Sequence, residues 1–426
     1  MKIRSGVGAG LCVAAFSLLV RPCWAEAEPA TLLAGIRKRV AADHARLPNY
    51  TCKQTIERST RPNASKKWTP VDSLRLEVAL VAGRELYAWP GSPKFEEKRI
   101  DELVGTSGAI GTGVFALQLR NLFLAPGPKF FYAGEAQANG RRAVRFNFEV
   151  PREKSGFEVG DGQHGAVVAY AGSFLADSET LELIRLDIQV DEVPAPVRVR
   201  ATRDSIEYAK ARIGESDFLL PALAEMIIIA PDGDARNITR FDACRQYVGE
   251  SVVSFGDAPS AGAEAVKPFR EVGLPAGLAV EMTLETQITP DAAVGDPVEG
   301  VLTRPLKGKD AMLLLPKGAR FTGRITRLER RRAGAVQYGV IGVTFGQAEA
   351  PGLKAQFHGE LESVGIGARA DFHVPYYNGP REFNIWSGIE HVTAPPQPDE
   401  GIFYVRQQQP RTGRSLRMLW RTTQPQ

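Results

Sequence analysis

The residues of this 426-residue chain with the widest chemical range are four cysteines and five histidines. Cys12 and Cys23 fall in an N-terminal stretch built like an export signal, which leaves Cys52 and Cys244. An even pair in an oxidising compartment suggests a disulfide, with two separate buried thiols as the alternative. Nothing spaced Cys-x-x-Cys points to a redox dithiol or a zinc site. No two of His44, His164, His358, His373 and His391 lie within ten residues of each other. That excludes HExxH and similar ligand spacings, so no metal and no cofactor are expected. There is no Gly-x-Ser-x-Gly elbow, and the many acids are scattered, so no catalytic residue is assigned.

Three further motifs have two readings each. Gly105-Thr-Ser-Gly108-Ala-Ile-Gly111-Thr-Gly113 is rich enough in glycine to suggest a phosphate loop. It lacks GxGxxG and a following Lys-Ser/Thr, so it reads as a flexible entry to a helix, or as a lid. Arg327, Arg330, Arg331 and Arg332 read as a solvated hairpin tip, with contact to an anionic lipid surface as the minority reading. Asn63-Ala64-Ser65 fits a glycosylation sequon.

The elements that must position these residues begin with the leader. Lys2 and Arg4 form a basic head, Val7 to Val20 carries no charge, and small residues offer cuts after Ala25 or Ala27. This is the pattern of a secretory signal over residues 1–25. The formal charge is +4, and Lys2, Arg4 and Arg21 are the only charges in those 25 residues, so the rest holds 50 basic against 49 acidic residues. Near-neutrality gives no electrostatic case for a nucleic-acid partner.

Helical spacing of Leu32, Leu33, Ile36 and Val40 predicts a helix from Thr31 to Pro48. Leu74, Leu76, Val78 and Leu80 then alternate as a half-buried strand that returns through Glu85–Trp89. Residues 101–124 read as helical in their second half. Phe130 to Val150 is a hairpin turning at Asn139-Gly140, with Val144, Phe146, Phe148 and Val150 on one face. Ile184, Leu186, Ile188 and Val190 share another face, and further strands run near 197–212, 217–230 and 236–248. Residues 28–250 therefore read as an α+β unit, 251–273 as a linker, and 274–392 as a small all-β barrel opened by two Leu-Pro-x-Gly turns. Residues 393–426 read as a second linker and two short strand-like runs.

The opening helix, Asn49-Tyr50-Thr51-Cys52, the long meander and Asp177-Ser-Glu-Thr180 together resemble the periplasmic lipoprotein-carrier (LolA-like) superfamily. That resemblance implies a strongly curved, unclosed antiparallel barrel with helices on its concave face and a cavity for acyl chains. Leu274-Pro-Ala-Gly277, Ala293-Val-Gly-Asp296 and Leu315-Pro-Lys-Gly318 resemble the small β-barrel of TrbI-like conjugation-channel proteins. The order of the whole, including Phe241-Asp-Ala-Cys-Arg-Gln246, is similar to exported proteins of soil bacteria.

The resemblance implies a non-enzymatic envelope protein, exported to the periplasm or associated with the outer envelope. Its N-terminal groove would bind a lipid or lipoprotein, and its barrel would dock an envelope partner or touch a membrane peripherally. Leu76, Val78, Phe146, Phe148, Ile184 and Leu186 are the candidate groove residues, unless they simply pack the core. A structural or sensing module with a filled sheet, and a hydrolase lacking a recognisable motif, are the alternatives.

Overall fold

A computed structural model describes residues 28–62, 65–92, 95, 100–104, 110–111, 113–247, 269–333, 336–365, 397–405 and 416–425. The leader, the Asn63-Ala64 sequon, His373, His391 and most of the glycine-rich 105–113 stretch lie outside them. Among the described residues no helix is long and apolar enough to cross a membrane.

The chain opens with α1 (Pro29–Arg46), β1 (Tyr50–Arg61), β2 (Thr69–Val81), β3 (Arg84–Ala88), α2 (Ile100–Val104), α3 (Leu117–Phe123), β4 (Lys129–Ala138) and β5 (Arg141–Val150). It continues through β6 (Glu158–Gly160), β7 (Gly165–Val167), β8 (Tyr170–Asp177), β9 (Leu183–Val190), β10 (Ala201–Ile213), β11 (Ser216–Ala230) and β12 (Gly233–Gln246). Ten of these strands form one antiparallel sheet in the order β3-β2-β1-β12-β11-β10-β9-β8-β5-β4. Asn139 and Gly140, both at positive φ, make the β4–β5 turn that the dipeptide dictates.

One consequence of that order governs the site. β3 and β4 are consecutive in sequence but occupy opposite edges of the sheet. The segment between them must cross the whole width, and its contacts follow the crossing strand by strand. Phe115 stacks on Tyr50 of β1 and Phe241 of β12 with ring centroids 4.9 and 5.3 Å apart. Gly111 lies against Met226 of β11, and Gln118 bonds Asp204 of β10. Phe123 meets Phe174 of β8 at 5.0 Å. α1 packs beside α3 on the same face, so helical segments fill the inner face of a sheet that does not close.

The second unit comprises β13 (Arg270–Glu271), β14 (Ala279–Leu284), β15 (Pro297–Leu302), β16 (Leu306–Lys307), β17 (Leu313–Leu315), β18 (Arg320–Ala333), β19 (Val336–Ala350), β20 (Leu353–Gln356), β21 (Gly359–Gly365), β22 (Glu400–Val405) and β23 (Leu416–Thr422). Nine of these strands join a second sheet, in which β22 pairs β19 and β23 lies between β14 and β21. The sheet curls until Gly401 of β22 abuts Leu361 of β21.

Four readings need correction. The fold is mainly β rather than α+β, because α1 is the only described helix longer than seven residues. The reading of 101–124 as helical only in its second half finds α3 there but omits the short α2 at Ile100–Val104. Arg270–Glu271, inside the expected linker, pairs in parallel with β20, and the C-terminal runs are integral strands of the second sheet. Arg327 is not at a solvated tip: it is buried within β18, with Glu400 at 3.2 Å and Glu329 at 3.4 Å, because its parity faces the interior.

The two units share a core. One cluster of buried residues lies within the first unit, and the other runs from Tyr50, Leu74 and Trp89 into Val280, Phe345 and Trp420. Residues Ala293–Asp296 clasp the join. Val294 exchanges backbone hydrogen bonds with Ser73 and Arg75 at 2.8 and 2.7 Å, and Asp296 holds the Arg75 guanidinium. Gly295 is at φ +100°, and a side chain there would put its first carbon 2.3 Å from the Arg75 carbonyl and 2.6 Å from the Trp89 ring, so no larger residue fits.

Candidate functional site

A cleft opens where α1 lies over the sheet beside the crossing segment. Its wall is largely apolar: Val40 of α1, Leu47 just after that helix, Tyr50 of β1, Phe115 and Leu119 of the crossing segment, Leu183 of β9, and Phe218 and Leu220 of β11. Arg39, Asp43, His44 and Glu182 stand at its polar end. The cavity volume is about 50 Å³, several times what one water needs.

Each wall is held by an identifiable contact. α1 docks through its apolar stripe, with Ile36 and Val40 buried. The Arg39 guanidinium bridges Asp43 at 2.9 Å and Glu182 at 2.7 Å, and Lys210 approaches the same Glu182 oxygen at 3.1 Å. The crossing segment is anchored by Glu85 of β3. That carboxylate accepts backbone N–H bonds from Gly113, Ala116 and Leu117 at 3.1, 2.9 and 3.2 Å, and the Tyr87 hydroxyl at 2.8 Å. The start of α3 thus has a side-chain acceptor from another element where its own residues supply none.

Burial dominates the electrostatics. It drives the Tyr50 hydroxyl far above the ordinary phenol range, with the Glu85 charge adding to it, and raises Tyr208 in the same way. Neither phenol ionises at physiological pH, so the cleft wall stays neutral. Further along the same face, Asp204 and Thr202 point inward from β10 under α3. Burial pushes the Asp204 carboxyl up to about 7, against the opposing effect of the Gln118 hydrogen bond. Asp204 Oδ1, Gln118 Oε1 and Thr202 Oγ1 have no hydrogen-bond partner there. Sequence reasoning passed over Asp204 among the scattered acids. Its signal was an acid on the parity shared by Thr202 and Ile206, both buried.

The residues expected to line a groove fall in two places. Leu76 and Val78 belong to the core shared by both units, while Phe146, Phe148 and Leu186 pack in the first unit's own core. All five are almost fully buried, none of the six lines the cleft, and Ile184 is half-buried at a bulge in the β8–β9 ladder. The bulge turns Ile184 off the face of Leu186 and puts Leu183 into the cleft instead.

Cys52 and Cys244 are disulfide-bonded, with Cα atoms 4.1 Å apart across the β1–β12 seam. Asp177-Ser-Glu-Thr180 is a tight turn in which Asp177 Oδ1 accepts the N–H groups of Glu179 and Thr180, both at 2.9 Å. Those bonds, led by Thr180, hold the Asp177 carboxyl below the usual range. Among the described residues, no three His, Cys, Asp or Glu side chains are grouped to hold a metal. His44 sits at the cleft, His358 pairs with Asp399 at 2.7 Å, and His164 faces Asp161 at 3.6 Å.

No protein-family model matches the chain, and no curated protein matches it. Among solved structures it is similar to a DUF1329 family protein from Desulfovibrio piger, with TM-score 0.30 and 11% identity over 52% of this chain and 95% of that one. A structure described as an outer membrane lipoprotein-sorting protein domain from Vibrio parahaemolyticus gives TM-score 0.30 and 10% identity, covering 51% and 92%. LprF from Mycobacterium bovis gives TM-score 0.18 and 9% identity, covering 52% and 95%. At TM-scores this low, none of the three bears on what the chain does.

Proposed function

We propose that this chain is a non-enzymatic protein of the bacterial cell envelope that takes the apolar chain of a lipid or lipidated ligand into the cleft under α1. The second unit serves as a docking module for an envelope partner. The observation that supports this reading is the cleft itself, an apolar wall ending in a cationic and anionic rim. An apolar tail would lie along Leu183, Phe218 and Leu220, and Arg39 and His44 would meet an anionic head. At about 50 Å³ the cleft admits the end of a chain. Deeper entry requires α1 to lift, which breaks the Arg39–Glu182 pair. Each buried methylene contributes about 0.8 kcal/mol, so several carbons together offset the loss of this partly buried pair.

Titration of the purified protein with a fluorescent long-chain fatty acid tests the reading. Saturable binding is expected, weakened at least tenfold by Leu119→Trp, which fills the cleft, and unchanged in Phe148→Leu, which lies outside it. Absence of binding, or equal binding by Leu119→Trp, would instead support a structural or sensing module. The burial of five of the six inward-facing candidates favours that second reading.

A further inference from the structure

Large apolar side chains exposed among the described residues are Phe131, Val167 and Phe269, each standing singly, and Met312 and Leu313, which are neighbours. Single exposures are ordinary on soluble proteins, whereas an adjacent pair on a protruding hairpin is not. Met312 and Leu313 are 63% and 50% exposed. They stand at the end of the β16–β17 excursion, which leaves the second sheet after Leu302 and rejoins it at Ala319.

This excursion is firmly built. Leu302 and Ala319 close its base by a 2.9 Å backbone bond, and Gly318 bonds back to Leu302 at 2.9 Å. Leu306, Leu314 and Leu315 are buried and tie it to the body. A bond from the Gly308 N–H to the Met312 carbonyl at 2.8 Å fixes the tip. The sequence thus spends Leu306, Leu314 and Leu315 on anchoring and holds Met312 and Leu313 outward.

Basic residues accompany the pair. Lys307 stands directly across the ladder from Leu313, Lys309 lies at the tip with Asp310 next to it in sequence, and Lys317 lies beside Gly318 at the base, all three lysines exposed. None of the three has a carboxylate within ion-pair distance among the described residues. Arg304, at the base, is already paired with Glu281 at 3.3 Å. Unpaired lysines around a rigid apolar point are the arrangement that suits an anionic lipid surface. The aliphatic groups enter the acyl boundary, and the ammonium groups stay at the phosphates.

We infer that the hairpin of residues 303–317 is a membrane-docking tip, inserting Met312 and Leu313 into an anionic bilayer surface held by Lys307, Lys309 and Lys317. The tip lies in the second unit and is independent of the cleft under α1. It gives that unit a lipid surface as its partner.

Sedimentation of the chain, purified from a bacterial periplasm, with vesicles of phosphatidylglycerol and phosphatidylethanolamine tests this. Binding is expected to fall with added salt and to be weak on pure phosphatidylcholine. The M312S/L313S variant should bind about a hundredfold more weakly, from about tenfold per apolar side chain withdrawn. The K307Q/K309Q/K317Q variant should lose about fivefold per lysine. Leu313→Trp should add blue-shifted emission on anionic vesicles over the parent. Leu119→Trp should bind vesicles like the parent, whatever it does to fatty-acid binding. No vesicle binding, equal binding to neutral vesicles, or undiminished binding by an M312S/L313S protein with unchanged thermal melting would each overturn the inference. Loss in Leu119→Trp with retention in M312S/L313S would overturn it too, while leaving the cleft reading intact.

Discussion

The two units solve one problem in opposite ways. Each has a curled sheet whose inner face must be covered. In the second, the sheet's own side chains do it: Phe321, Phe345, Trp420 and Phe357 form a ring of edge-on contacts at 6.5, 5.6, 6.0 and 5.1 Å. Gly300, Gly323 and Gly401 leave room for that ring and for the neighbouring strands. In the first, α1 and the crossing segment cover the face, held by Glu85, Arg120 and the Arg39 network. A core filled by its own strands has no seam, whereas a face covered by separate segments has one wherever two of them meet, and the cleft under α1 is such a seam. The difference extends to buried acids. Glu400 in the second unit is paired with Arg327, while Asp204 beneath the crossing segment has no cation beside it.

The largest effect should come from the disulfide, which the second unit lacks altogether. It closes a sequence separation of 192 residues, for which the chain-entropy model gives about 5 kcal/mol as an upper figure. Cys52→Ala/Cys244→Ala should therefore lower the denaturant midpoint strongly. Hydrogen exchange should rise first in β1 and β12, with β14–β23 following only near global unfolding. Simultaneous loss of protection in both sheets would mean that the shared core, not the seam, sets cooperativity. Next comes Trp420→Ala. Trp420 is completely buried as one member of that aromatic ring, so its loss should cost about 3–5 kcal/mol. Binding of the fatty-acid probe by the variant that remains folded should be unchanged. The same residue shows why a barrel ending at 392 is incomplete: it lacks β22 and β23, and with them Phe403 and Trp420.

Most strands were legible because alternation is a local property. Leu74 to Leu80 and Val144 to Val150 announce a buried face, and α1 lies within two residues of the helix read from Leu32, Leu33, Ile36 and Val40. What covers such a face is not local. The cleft draws on α1, β1, the crossing segment, β9, β10 and β11, and only the sheet order brings them together. The six inward-facing candidates were chosen by parity, which places a side chain on a face but not in a cavity. Ile184 shows the limit most plainly, because one bulge reverses its parity. Met312 and Leu313 carry no such signal, since nothing in Met-Leu-Leu-Leu says which two point outward.

Asp204 offers the smallest effect and the sharpest contrast. Its carboxyl ordinarily titrates near 3.8 and is pushed to about 7 by burial. The folded state therefore holds the proton more tightly than the unfolded chain. Stability is greatest below the ordinary value, falls as pH rises from 3.8 to about 7, and stays reduced above that. The carboxylate also lacks what protonation supplies, a hydroxyl that could donate to the unpartnered Gln118 Oε1. Asp204→Asn keeps the shape, removes the titration and offers an amide donor in its place. It should melt like the parent near pH 4 and be more stable at pH 8. The gain is bounded at about 4 kcal/mol, and water admitted by partial opening keeps it smaller. Glu400→Gln in the second unit should instead cost stability at pH 8, by removing one of the two carboxylates paired with the buried Arg327. Urea titrations of both variants at the two pH values decide the matter. Parallel curves for parent and Asp204→Asn would show that Asp204 is hydrated after all, and that the crossing segment covers the sheet more loosely than its contacts imply.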